Sequence, residues 1–197
     1  MQFSYLIRYP FLLALLLSHA ALAFQPHVEQ APGKTMAATG SIELVFTPEQ
    51  DAAGLIINAI ARAHQQILVQ AFSFTHDGIA QALIAAHHRG IEVRLIADRE
   101  QTQNMEHGQV PLMAAAGIPV WLDGEHQSAH NKIMVIDADS STPTVVTGSY
   151  NFTKAAQYKN AENVLIMHGN RQLAEQYRSN WQRHLPHSRP FSPEKLH

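Results

Sequence analysis

His130-Asn131-Lys132-Ile133-Met134-Val135-Ile136-Asp137, with Gly148-Ser149-Tyr150-Asn151 downstream, is the stretch on which the reading of this chain turns. Lys132 to Ile136 is short, apolar and rich in branched residues, and a loop of Asp, Ser, Thr and Pro follows it, which is the pattern of a buried strand. Side chains on a strand alternate between faces, so His130 and Lys132 project the same way. Ser149 and Asn151 share a parity just past the next apolar run, Thr144 to Thr147. If the two runs pair as a hairpin, an imidazole, an ammonium, a hydroxyl and a carboxamide converge on one patch. Such a set suits a phosphate, with a nucleophile or proton carrier beside donors for the non-bridging oxygens. Singly, each residue has a plain explanation: a packed histidine, a solvated lysine, an aspartate in a turn. The joint spacing, HxK(x)4D followed by GSxN, points to function.

Outward from this hairpin, strands and helices alternate. Ser41 to Phe46 reads as a first strand. Thr47-Pro48-Glu49-Gln50 then reads as a helix start, with Thr47 as cap and Pro48 at the first helical position. Leu55, Ile56, Ala59, Ile60 and Ala63 follow at helical spacing. Ile67 to Phe72 is a second strand, Asp77 opens a helix closed by Gly90, and Ile91 to Ala97 is a third strand. Asp98 to Gly108 is polar and without a clear period. A short helix over Pro111 to Ala116 precedes a strand at Pro119 to Leu122, and Asn163 to Met167 is the last strand. A final helix carries Leu173, Tyr177, Trp181 and Leu185 on one stripe. The expected architecture is α/β: a layered, mixed and largely parallel sheet flanked by helices.

The ends differ from this body. Within residues 1–23, Arg8 is the only charge, Phe11 to Leu17 is apolar, and Ala21-Leu22-Ala23 is a small-x-small cleavage signal. These features predict a secretory signal peptide with Phe24 as the mature start, and a periplasmic or secreted protein. Residues 24–40, with Pro26, Pro32, Gly33 and Gly40, read as a tether. The catalytic domain is expected over 41–185 and a loose tail over 186–197. Cysteine is absent, so no disulfide framework or lipid-modified cysteine is available. Without Arg8 the mature chain has 13 Lys and Arg against 16 Asp and Glu, a net charge of −3. That argues against a strongly basic nucleic-acid footprint, while a local group of Lys132, Lys154 and Lys159 can still guide a phosphate backbone.

The motif, together with Tyr150-Asn151-Phe152-Thr153-Lys154 and Lys159-Asn160-Ala161-Glu162-Asn163, resembles the phospholipase D superfamily from about Ser41 to Leu185. Within it the chain looks most like the small bacterial endonucleases that resist EDTA. The connection from Asp137 to Gly148 is longer than in those nucleases. The resemblance implies a phospholipase D-like fold and cleavage of DNA or RNA phosphodiester bonds without a metal. His130 is then the nucleophile that forms a phosphohistidine. Lys132 supplies fixed positive charge, and Ser149 and Asn151 donate to phosphoryl oxygens. In the family, the acid corresponding to Glu162 orients the catalytic imidazole. Asp137 completes the signature, but strand parity turns it away from His130, so a structural hydrogen-bonding role suits it better. Ser73 and Lys154 are expected to line a substrate groove, with Lys159 nearby.

One HxK occurs in the sequence, so the resemblance implies a homodimer that forms one site from two copies, with one His130 attacking and its partner protonating the leaving group. No cofactor is expected. Thirteen histidines invite a metal reading, but His87-His88 are adjacent, His126 and His130 lie in a loop, and no HExxH or Cys partner accompanies them, so no metal site is expected. Two other functions remain open. A phospholipase with the same chemistry needs an apolar surface near the groove, and the sequence shows no obvious one. A non-catalytic nucleic-acid-binding or envelope scaffold role would leave the complete polar set without a purpose.

Overall fold

A single eight-stranded sheet runs through the described residues in the order β1-β7-β6-β5-β2-β3-β4-β8. Its strands are β1 (Ser41–Thr47), β2 (Gln66–Ala71), β3 (Glu92–Asp98), β4 (Val120–Asp123), β5 (Lys132–Ile136), β6 (Thr144–Gly148), β7 (Glu162–His168) and β8 (Arg189–Pro190). The helices are α1 (Ala52–Ala61), α2 (Asp77–His88), α3 (Arg99–Asn104), α4 (Val110–Ala115), α5 (Lys154–Tyr158) and α6 (Arg171–His184). This computed structural model describes residues 32–192. The predicted signal peptide at 1–23, tether residues 24–31 and tail residues 193–197 lie outside the described residues. Residues 32–39 carry no helix or strand, and residues 36–192 belong to one unit.

The architecture is mixed α/β, but less parallel than expected. Only β2·β3 and β3·β4 are parallel, and the other five pairings are antiparallel. The cause is connection length. Crossover helices α2 and α4 return the chain in the same direction, whereas the turn from β5 to β6 reverses it. The sheet's pleat sorts the core into two layers. Ile67, Val69, Met134 and Ile136 face α1 and α2, while Leu68, Ile133, Val135 and Val145 pack with Trp181 of α6. Trp181 also donates its indole N–H to Val69 O at 2.9 Å, so the last helix is pinned to the central strand by a directed bond as well as by area.

Three local readings change. Helix α1 is capped by Asp51, which accepts from Gly54 N at 2.8 Å. Thr47 instead ends β1 and turns its hydroxyl inward to Ala156 O at 2.7 Å. Polar Asp98 to Gly108 contains α3, capped by Asp98. The described part of the tail is not loose: a 3-10 helix at Leu185–His187 leads into β8, which pairs antiparallel with β4 through Trp121↔Pro190 and Leu122↔Arg189. Pro190 lacks an N–H, which suits this outer edge of the sheet.

Candidate active site

Four strand ends meet at one end of the sheet: the end of β2, the start of β5, the end of β6 and the start of β7. Pairings Ala71↔Lys132 and Gly148↔Val164 set their registers. Adjacent strands alternate in direction there, so residues far apart in sequence are brought side by side. The expected hairpin forms in register, with Met134 opposite Val146 and Ile136 opposite Thr144. Gly148 sits at φ 155°, and a Cβ on it would lie 2.2 Å from Asn163 O. Only glycine lets β6 end this close to β7, which explains the glycine of the GSxN motif.

His130 lies just before β5, solvent-exposed, its ring 4.4 Å from that of Phe72. Lys132 is the first residue of β5 and only 6% exposed. Its ammonium donates to His130 O at 2.8 Å and rests 4.8 Å from the Phe72 ring centre. Phe72 therefore floors both groups of the HxK pair, and its own N–H is fixed by Asn131 O at 3.0 Å. Burial pulls the Lys132 pKa down from 10.5 to about 8, and the Glu162 charge offsets part of that fall.

Across the site, the Ser149 hydroxyl donates to Glu162 Oε2 at 2.6 Å and accepts from Asn163 N at 3.1 Å. Asn160 donates to the other carboxylate oxygen at 3.0 Å. A serine has one hydrogen to give, and here Glu162 takes it. Ser149 thus anchors the acid, in place of the expected direct donation to a phosphoryl oxygen. Among the described residues no hydrogen bond joins Glu162 to the His130 ring, and its charge is felt at Lys132.

Asn151 Oδ1 is buried and has no hydrogen-bond partner. This carboxamide lines a cleft of about 740 Å³ together with Ser73, Thr75, Gln101, Asn104 and Lys154. Ser73 is held by Gln101 at 2.9 Å, and Lys154 pairs with Asp77 at 3.3 Å. Lys159 is exposed beyond the end of α5 and does not line this cleft.

Asp137 leaves the site altogether. It follows the far end of β5, about 17 Å along the strand from Lys132. At φ 51° its carboxylate accepts the N–H groups of His64, Gln65 and Gln66 at 2.8–2.9 Å. It closes the turn between α1 and β2, so its place in the catalytic set gives way to the structural role that parity suggested.

The profile of the family described as "Cardiolipin synthase, PLD-like domain" matches residues 56–185. The chain belongs to the phospholipase D superfamily. It is 39% identical over 140 residues to a Rickettsia felis protein named phospholipase D, covering 71% of this chain and 67% of that one. It is 31% identical over 153 residues to a mitochondrial cardiolipin hydrolase of Xenopus tropicalis, covering 75% and 70%. Among solved structures, Nuc of Salmonella typhimurium, described as a phospholipase D family member, superposes with a TM-score of 0.72 at 33% identity. That match covers 78% of this chain and 99% of the other. Membership of the phospholipase D superfamily makes the protein a phosphodiesterase.

Proposed function

We propose that this phospholipase D superfamily member is an exported endonuclease that cleaves DNA or RNA phosphodiester bonds through a phosphohistidine on His130. The observation that carries the reading is the Lys132 ammonium, buried against Phe72 and tied to the backbone of His130. It is a fixed positive charge beside an exposed imidazole. The His130 ring attacks phosphorus and the P–O bond to the leaving group breaks, the departing alkoxide taking a proton from a second His130. Water then cleaves the P–N bond and restores the imidazole. Lys132 has further N–H donors for the phosphoryl oxygens, and the Asn151 amide can turn its NH2 into the cleft. Ser73, Thr75, Gln101, Asn104 and Lys154 along the cleft offer hydrogen-bonding partners to a sugar-phosphate chain.

The second His130 comes from a second copy of the chain. Supporting this, β1 is an edge strand whose Ile42, Leu44 and Phe46 are 52–61% exposed, beside half-buried Leu165 and Met167 of β7. An apolar stripe on an edge strand ordinarily needs a cover. The stripe ends at Phe46 and Thr47, opposite Asn163 and Glu162, so a partner covering it lies beside the site.

The same stripe supports the phospholipase reading that the sequence left open, supplying an apolar surface of Ile42, Leu44 and Phe46 that could rest on lipid. The relatives named phospholipase D and cardiolipin hydrolase agree with that reading. Incubating the purified protein in EDTA with plasmid, oligonucleotides, and phosphatidylcholine or cardiolipin vesicles separates the two. Cleaved nucleic acid with intact lipid is expected. Released headgroup with intact nucleic acid would transfer the site to lipid.

A further inference from the structure

Two strands away from Phe72, at the same end of the sheet, four side chains from three segments close on one point. Asp123 ends β4 and is 0% exposed. His126 stands in the loop that leads to His130, His184 is the last residue of α6, and His187 ends the 3-10 helix. Ring nitrogens reach Asp123 Oδ2 at 3.2 Å from His126, 2.8 Å from His184 and 3.3 Å from His187. One ligand atom from each of the four residues lies within 4.8 Å of the others. None of these residues takes part in the phosphodiesterase site.

Hydrogen bonding alone explains this arrangement poorly. To keep all three contacts, each facing nitrogen must carry a proton, and with Glu125 N four N–H groups would fill one buried carboxylate, His126 Nδ1 being shared between Oδ2 at 3.2 Å and Oδ1 at 3.3 Å. Oδ1 already accepts from Glu125 N at 3.1 Å. A cation at the common point turns the same directions into bonds: three nitrogen lone pairs and one carboxylate oxygen. The spacing fits as well. With metal–nitrogen bonds of about 2.0–2.1 Å, a tetrahedral centre sets imidazole ring centres about 5 Å apart. The three rings stand 5.0, 5.2 and 5.2 Å apart.

We propose that Asp123, His126, His184 and His187 form a structural Zn²⁺ site. Three imidazoles and one carboxylate suit zinc among divalent cations, and four protein ligands leave no position for a reacting water, so the site is closed. Its work is mechanical. The loop 124–131 runs from β4 to β5, and Ala129 N donates to Asp98 Oδ2 at 2.8 Å as it passes β3. Zinc ties the start of that loop to α6 and to the chain entering β8, four residues before His130. The ion therefore stiffens the approach to the nucleophile without touching substrate.

The test uses untagged full-length protein, stripped with chelator and reloaded. One Zn²⁺ per chain is expected in competition with a chromophoric chelator. Co²⁺ should give the intense visible absorption of a tetrahedral site, and the thermal midpoint should rise on loading. Asp123→Asn and His184→Ala should abolish the Co²⁺ spectrum. Both residues pack between elements, so His126→Gln, whose side chain is 47% exposed, serves as the variant that keeps its fold. It should weaken zinc at least about tenfold. Replacing the surface pair His87 and His88 by Ala should change nothing. Zinc bound as tightly by His126→Gln as by the parent, or a weak octahedral Co²⁺ spectrum, overturns the site. So does lost binding in the His87/His88 variant.

Discussion

Lys132 makes a prediction about alkaline pH that two neighbouring substitutions should move in opposite directions. In the proposed mechanism its ammonium must stay protonated to hold charge on phosphorus, yet burial brings its pKa down to about 8. A group with that pKa is about 90% protonated at pH 7 and about 10% at pH 9, so kcat/KM should fall about tenfold between them. The free-enzyme parameter is the relevant one, because bound phosphate would change the balance. Phe72→Ala lets water reach the ammonium and removes part of the cause. The alkaline limb should then move upward by about one pH unit, while the plateau drops because the floor under His130 is gone. Glu162→Gln deletes the charge that offsets burial and should move the limb downward. Lys132→Arg keeps its charge at every accessible pH and should lose the limb, at a lower rate. Initial rates on a chromogenic diaryl phosphodiester, with circular dichroism at each pH, read all four proteins without assuming a natural substrate. A parent profile flat to pH 9.5 refutes the argument. So does a limb that shifts the same way in Phe72→Ala and Glu162→Gln.

His130→Ala should lose nearly all turnover and Lys132→Ala about 10²–10³-fold while both stay folded, as read by single-turnover assay beside thermal melting. Asp137→Ala should do the reverse. It leaves three backbone N–H groups without their acceptor, costing about 3 kcal/mol in denaturant titration, while turnover of the folded fraction persists. Brief EDTA treatment below the melting transition should leave cleavage intact, because Lys132 and the amide donors carry the phosphoryl charge; loss restored by magnesium would count against the mechanism. Leu44→Asp should give monomers in sedimentation and a large fall in activity. Active monomers would disconnect the β1 stripe from catalysis.

Much of the site was legible because it is local. Strand parity put His130 and Lys132 on one side, and both rest against Phe72; Asp137 is removed by the length of β5, beyond whose far end its carboxylate reaches His64, Gln65 and Gln66. Phe72 was invisible as a site residue: the β2·β5 pairing that brings it under Lys132 joins segments some sixty residues apart. Ser149 was recognised but its bond was not, because a hydroxyl rotates and only the position of Glu162 decides where its hydrogen goes. The helix start was misread at Thr47-Pro48, which carries ordinary cap residues, because Asp51 caps equally well and sheet pairing claims Thr47. The tail looked loose since Arg189 and Pro190 form no apolar period, and β4 alone makes them a strand. His126 was noticed without its partners. The Asp123-x-x-His126 and His184-x-x-His187 spacings match, but the pairs lie about sixty residues apart and no single window contains both.

The low pKa of Lys132 also bears on how the site treats an anion. An ammonium taken out of water and given one backbone acceptor is a poorly satisfied cation. Glu162 compensates only in part, its oxygens being occupied by Ser149 and Asn160. In the proposed mechanism a phosphodiester brings the missing negative charge to Lys132 with acceptors for its remaining N–H groups. Ligand binding therefore favours the protonated form, and above pH 8 it must draw a proton from solution. The burial that makes the free ammonium unfavourable is relieved only when phosphate arrives. It also lowers the local dielectric in which the transition-state charge is held. One strand position beside one aromatic ring thus supplies a positive charge that is uncomfortable alone and strongly felt by the substrate.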